Sequence, residues 1–325
     1  MPLLIPSSYQ APTFLPHGHL QTIFAYYRRI PSPPAFQRER LLTSDQDFLD
    51  VDWVKIGSSR LAILSHGLEG HSRRPYVSGM AKALIQTGWD ILAWNYRGCS
   101  DEINKSLRFY HSGDVEDIQQ ILSYALNQKH QKQYKTVILI GFSIGGNITL
   151  KYLGEHSKQL PSEVKKAVVF SVPCDLKGSS QRLAQPANQM YTRDFLRCFH
   201  RKVSLKQRQH PQLIHDRGFN RIKNFRHFDD RYTAPLNGFQ NALDYWQKSS
   251  CKQFLPQIAI PTLLINAQND PFLTRSCFPI QEAQQNSCLF LEMPKEGGHV
   301  GFAPKIQTPL YWSEQRTLEL IQDLM

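Results

Sequence analysis

The sequence predicts the α/β class: a mostly parallel central sheet of about eight strands, helices on both faces, and a helical cap inserted over about residues 176–256. Three observations predict it. Between Leu61 and Val172, short aliphatic and β-branched runs alternate with stretches of helical periodicity. One such run, Val137–Ile140, enters Gly141-Phe142-Ser143-Ile144-Gly145, a G-x-S-x-G turn from strand into helix. From Asp175 to Pro256 the rhythm stops, and strands resume only at Thr262. At 325 residues the chain suits one large domain, 1–325, that carries the cap as an insertion.

The elements follow in order. A short helix is expected from about Gly18 to Arg29, with Leu20, Ile23, Phe24 and Tyr27 on one face, before Pro31, Pro33 and Pro34 break the chain. That face reads as buried packing, with an apolar hook for a membrane surface as the sharper alternative. Arg38–Thr43 and Phe48–Ile56 flank the polar Ser44–Asp47 and form a hairpin. Leu61–Leu64 is a buried strand that runs into His66-Gly67-Leu68-Glu69-Gly70. The helix Pro75–Thr87 starts on a proline suited to a first turn and stops at Gly88. Asp90–Asn95 is the next strand. Asp114–Gln128 is a helix with Val115, Ile118, Ile121, Leu122 and Ala125 inward and Ser112 as its candidate cap. Val137–Phe142 and Ile144–His156 are the strand and helix around Ser143, and Ala167–Val172 is a further buried strand. Short helices are expected in the cap. Thr262–Asn266 and Cys288–Glu292 complete the sheet, and a helix from about Ser313 to Met325 closes the chain.

The net charge is +11, and residues 177–255 hold fifteen lysines and arginines against five carboxylates, which is +10 of it. Aromatic residues such as Tyr191, Phe195, Phe225 and Trp246 interleave these charges. A solvated basic face, contact with an anionic membrane surface, or a phosphate-bearing substrate each accounts for the charge. No nucleic-acid-binding module accompanies it, so no nucleic acid is expected. The six cysteines show neither C-x-x-C nor zinc spacing, which fits free thiols in a reducing compartment, the cytoplasm. No run approaches the roughly 18 apolar residues of a membrane helix. The proline-broken N-terminus, with no basic region before it, does not read as a signal peptide.

The chemistry centres on Ser143. A serine hydroxyl attacks a carbonyl only if it stands clear of the backbone, and a very tight strand-to-helix turn achieves this. The residues two before and two after then crowd each other, so Gly141 and Gly145 lack side chains. A nucleophilic serine needs a base, and the base an orienting acid, in the chain order Ser, acid, His. Asp270, just past the strand Thr262–Asn266, and His299, after Gly297-Gly298, stand in that order. Asp175, at the end of Ala167–Val172, is the rival acid. A tetrahedral oxyanion needs N–H donors. The backbone N–H groups of Ile144 and, from the His66–Gly70 loop, Leu68 are the candidates, while His66 suits a structural role. His17 and His19 lack nearby carboxylate or thiol partners, and no histidine stands in a Glu-x-x-His pattern. Neither a metal nor any other cofactor is expected.

With these pieces placed, the sequence resembles the YheT-like branch of the α/β-hydrolases, bacterial esterases related to eukaryotic abhydrolase-domain lipid hydrolases. The resemblance covers nearly the whole chain. It rests on Pro16–Ile23 (PHGHLQTI), His66–Gly70 (HGLEG), Asn95–Gly98 (NYRG), Gly141–Asn147 (GFSIGGN) and Gly297–Phe302 (GGHVGF). It also rests on the stretch from Asp229 through Gly238-Phe239, Asp244-Tyr245 and Ile258–Pro261 to Asn269-Asp270. Trp246 departs from it, since the family usually has tyrosine there. The resemblance implies an α/β-hydrolase fold and a Ser143–Asp270–His299 triad. It implies hydrolysis of acyl esters, small or lipid, through an acyl-enzyme. A lipid-directed acyltransferase or phospholipase, and a binding protein on this scaffold, remain open beside it.

Overall fold

The computed structural model describes residues 3–29, 33–127, 134–304 and 310–325, with side chains from residue 6 onward. Pro31 and Gln128, named above at helix ends, lie outside them. The aliphatic runs are strands because both of their faces are covered. β4 (Arg60–Ser65), β5 (Asp90–Trp94), β6 (Thr136–Phe142), β7 (Val164–Phe170) and β8 (Thr262–Ile265) are buried along almost their whole length. With β1 (Leu3–Ile5), β2 (Gln37–Leu42), β3 (Phe48–Val54) and β9 (Leu289–Glu292), they make one sheet in the order β1-β9-β8-β7-β6-β4-β5-β3-β2. The pairings from β5 to β1 are parallel, and β3 joins β5 and β2 antiparallel. β1 is additional to the eight strands expected. Three residues between prolines are too few to show a period.

Two cores lie on the two faces of the sheet. α3 (Val115–Leu126) and α4 (Ile144–Glu155) cover one face, and α2 (Pro75–Gln86) and α11 (Trp312–Leu320) cover the other. Asp114, not Ser112, occupies the N-cap of α3. The Ser112 N–H instead donates to the Tyr245 hydroxyl, which ties this turn to the cap.

α1 (Gly18–Arg28) reverses the expected burial. Gly18, Gln21 and Ala25 are its buried residues, while Leu20 is 44% and Tyr27 69% exposed. Its inward face is small and polar because it packs on loops, where backbone groups need partners.

Between β7 and β8 the chain is helical: α5 (Leu176–Leu183), α6 (Gln189–Gln209), α7 (Phe225–Phe228), a π-helical turn over Asp229–Thr233, α8 (Ala234–Leu236) and α9 (Ala242–Ser249). α6 has 21 residues, so the expectation of short helices alone is corrected. Leu196, Phe199 and Val203, three and four residues apart on α6, face inward and form a separate small core with Phe219, Phe228 and Tyr232. α10 (Ile280–Gln285) precedes β9. No described helix is long and apolar enough to cross a membrane.

Candidate active site

β4 and β6 are neighbours, with β5 beyond one and β7 beyond the other. The chain order reverses here, so the loops leaving the two strands diverge and open a crevice. Ser143 stands at the end of β6 and the His66–Gly70 loop at the end of β4.

The turn at Ser143 is as tight as its glycines demand. A Cβ on Gly141 would stand 2.6 Å from the Gly145 carbonyl oxygen, and one on Gly145 would overlap the carbonyls of Ser65 and His66. Ser143 itself has φ 55° and ψ −120°. For a residue with a Cβ this costs about 1–3 kcal/mol. The surrounding structure imposes it: the Ser143 N–H donates to the Phe170 carbonyl at 2.8 Å.

The structure brings Ser143, His299 and Asp270 together. His299 Nε2 lies 2.9 Å from Ser143 Oγ, and His299 Nδ1 lies 2.9 Å from Asp270 Oδ2. Asp270 Oδ1 accepts the Phe272 N–H at 2.8 Å, and the carboxyl is fully buried. An imidazole whose Nδ1–H is fixed on a carboxylate presents Nε2 to the hydroxyl as a proton acceptor. Asp175 is elsewhere. It caps α5, its carboxylate accepting the Gly178 N–H at 3.1 Å.

Ile144 follows Ser143 in the chain, and Leu68 follows Gly67 in the loop after β4. A Cβ on Gly67 would stand 3.3 Å from the Ser143 Cβ, so the loop passes directly beside the hydroxyl. Two tyrosines fix this loop. Gly67 N–H donates to the Tyr76 hydroxyl at 2.9 Å and Glu69 N–H to the Tyr110 hydroxyl at 3.0 Å. Among the described residues neither the Leu68 nor the Ile144 N–H has a hydrogen-bond partner. His66 is structural. It is fully buried between Gly67 O (2.7 Å from Nδ1) and Tyr96 N (3.2 Å from Nε2), and burial pushes its pKa down to about 3.

The sequence reading missed how α1 holds the histidine loop. Gln21 Oε1 accepts from Gly297 N–H at 2.7 Å and Asn269 Nδ2 at 3.1 Å. Thr22 Oγ1 accepts from His299 N–H at 2.9 Å. Gly18 touches the Asn269 carbonyl so closely that any side chain there would displace it. Gln21 and Thr22 thus position the loops of both His299 and Asp270. The signal available was the HGHLQT string, in which a polar pair interrupts an apolar helix. His19, discounted as a metal ligand, lies with Nδ1 3.2 Å from the Tyr191 hydroxyl.

Ser143, His299 and Leu68 line a cavity of about 410 Å³, walled by α1, the loop after β4 and the helices between β7 and β8. Its lining is mainly apolar, with Tyr76, Phe109, Leu183, Phe195, Phe228 and Phe272 prominent. Lys202 enters it from α6. Its Nζ lies 2.7 Å from Glu69 Oε1, so the helical segment is anchored to the loop beside Ser143.

Comparison with known proteins agrees with this fold. Residues 63–305 match the family model described as alpha/beta hydrolase fold. The YheT protein of Escherichia coli (strain K12) is 31% identical over 308 residues, covering 92% of this chain and 88% of that protein. Human phospholipase ABHD3 is 26% identical over 310 residues, covering 92% of this chain and 73% of its own length. The monoacylglycerol lipase of Saccharomyces cerevisiae is 29% identical over 255 residues, covering 74% of this chain and 54% of its own. Among solved structures, the Pyrococcus furiosus esterase Pf2001 superposes with a TM-score of 0.60 at 17% identity, over 100% of this chain and 98% of the other. The chain belongs to the α/β-hydrolase family, in its YheT-like branch.

Proposed function

We propose that this protein is a serine hydrolase that cleaves carboxylic acyl esters. The Ser143–His299–Asp270 arrangement, joined by two contacts of 2.9 Å at the wall of an apolar cavity, carries the reading. His299 Nε2 takes the Ser143 proton as Oγ attacks the ester carbonyl. The Leu68 and Ile144 N–H groups stabilise the oxyanion. Collapse expels the alcohol, which receives its proton from His299. Water, deprotonated by the same imidazole, then releases the acid from the acyl-enzyme. Asp270 holds the ring and stabilises the imidazolium formed in each step. A tagged fluorophosphonate, which phosphonylates an activated serine, is expected to label Ser143 alone. Peptide mapping that finds folded protein unlabelled at Ser143 would falsify the reading.

The substrate class follows from the walls. An apolar cavity of this size accepts a hydrocarbon chain, and relatives named phospholipase and monoacylglycerol lipase support a lipid ester. Tyr26, Tyr27 and Met190 line the cavity yet are 62%, 69% and 53% exposed. Arg193, Arg197 and Arg201 form an exposed basic stripe on α6, the helix that also carries Met190. Aromatic lips beside arginines suit shallow contact with an anionic lipid surface. The protein is expected to float with vesicles containing anionic phospholipid and not with purely zwitterionic ones. Equal behaviour with both would remove the membrane contact from this reading.

A further inference from the structure

The wall supplied by the helical segment carries a carboxyl that ester cleavage at Ser143 does not use. Asp229 opens the π-helical turn Asp229–Thr233, a kind of distortion common at functional sites. Asp229, Thr233 and Trp246 all line the catalytic cavity. Asp229 is only 6% exposed. Its Oδ1 accepts from Thr233 Oγ1 at 2.6 Å and its Oδ2 from Trp246 Nε1 at 2.8 Å. Among the described residues no basic side chain is paired with it. The neighbouring Asp230 takes Arg226, at 3.7 Å.

Burial in this wall pushes the Asp229 pKa up to about 7, so near neutrality the carboxyl keeps a proton much of the time. Each oxygen accepts one hydrogen bond, so the carboxyl of this cavity-lining residue keeps further hydrogen-bonding capacity. Architecture alone does not call for an acid here. An amide would accept from Trp246 and donate to Thr233 without the cost of burying an ionisable group. The indole N–H that helps hold Asp229 comes from Trp246, where the resemblance leads one to expect tyrosine.

We infer that Asp229, framed by Thr233 and Trp246, is a specificity residue that hydrogen-bonds an alcohol hydroxyl on the part of the ester lying under the α7–α9 wall. A hydroxyl suits both states of the acid, since it accepts from the protonated carboxyl and donates to the carboxylate. A plain hydrocarbon leaves that further capacity unused, and an anionic group repels the acid once ionised. The hydroxyl belongs either to the alcohol portion or to the acyl chain. The inference rests on the reading of Ser143 as the nucleophile of an ester hydrolase.

The test uses two series of esters and measures kcat/KM. One series compares alkyl esters of a single acid with hydroxyalkyl esters of equal length. The other compares plain with hydroxylated acyl groups on a single alcohol, the hydroxyl moved carbon by carbon in both. The wild type is expected to prefer a hydroxylated ester by about tenfold or more in one series, and that series identifies the source of the hydroxyl. Asp229→Leu, similar in shape and without hydrogen bonds, is expected to bring the ratio near one while plain-ester hydrolysis stays within about threefold. Asp229→Asn, which keeps a donor, is expected to retain the preference. If the leucine variant does not fold, the wild-type ratios and the asparagine variant decide. Hydrolysis of plain esters with no hydroxyl preference in either series overturns the inference alone. An Asp229→Leu variant that loses all esters equally assigns Asp229 to structure and also overturns it. Hydrolysis of no ester overturns it together with the esterase reading.

Discussion

Ser143→Ala is expected to lower kcat for a short acyl ester by about 10⁵–10⁶-fold, with KM nearly unchanged. Alanine removes the attacking oxygen and nothing that binds the ground state. What survives is the field of the Leu68 and Ile144 N–H groups acting on a carbonyl held beside them. The fold should be indifferent. The backbone at position 143 has φ 55° whichever of the two residues stands there, so the strain is retained, not relieved. Thermal melting is therefore expected to match the wild type while steady-state kinetics collapses. A variant within tenfold of wild-type kcat would mean that the 2.9 Å contact between Ser143 and His299 is not the reacting pair.

Asp270→Asn is expected to lower kcat by about 10⁴-fold, and Asp175→Asn by no more than a few-fold. The asparagine Oδ1 can still accept the Phe272 N–H. Its Nδ2 then faces His299 Nδ1, so a donor replaces an acceptor. The imidazole must carry its proton on Nε2 and turns an N–H toward Ser143, where it cannot take the hydroxyl proton. At Asp175 the change is mild because asparagine caps a helix as well as aspartate does. Kinetics on both variants, with KM and kcat separated, distinguishes the two acids. Loss at Asp175 with Asp270→Asn unaffected would exchange their roles.

The parts of this site that sequence made legible are those set by local sterics or by chain order. Gly141 and Gly145 are dictated by a turn that leaves no room for a Cβ, and that constraint can be read from five residues. Asp270 and His299 follow from strand ends, because a parallel sheet brings the exits of its strands to one edge. The illegible parts are held by side chains acting across the whole chain. Gln21 meets Gly297 through a single hydrogen bond, and no periodicity encodes such a pairing. The same cause misdirected the burial of α1: its apolar residues suggested a core face, whereas its partners are backbone groups. Asp229, named above only as the start of a resembling stretch, shows no sign of burial in sequence because nothing local marks an acid in a basic segment as buried. Its environment comes from Trp246, seventeen residues on, and from the apolar wall around them.

The seating of α1 on the loops of Asn269 and His299 has a consequence for how the protein is made. The ribosome delivers Gly18–Arg28 early and Gly297–His299 late, with most of the sheet emerging between them. At about 5–20 residues per second, roughly 12–50 s separate the helix from the loops it must clasp. During that interval α1 lacks the loops of Asn269 and His299, and the Gln21 Oε1 is without the donors it holds in the folded protein. The seating of α1 on those loops therefore comes after the strands beneath are laid down. The contact between Ser143 and His299 is thereby withheld from the growing chain until His299 has been made.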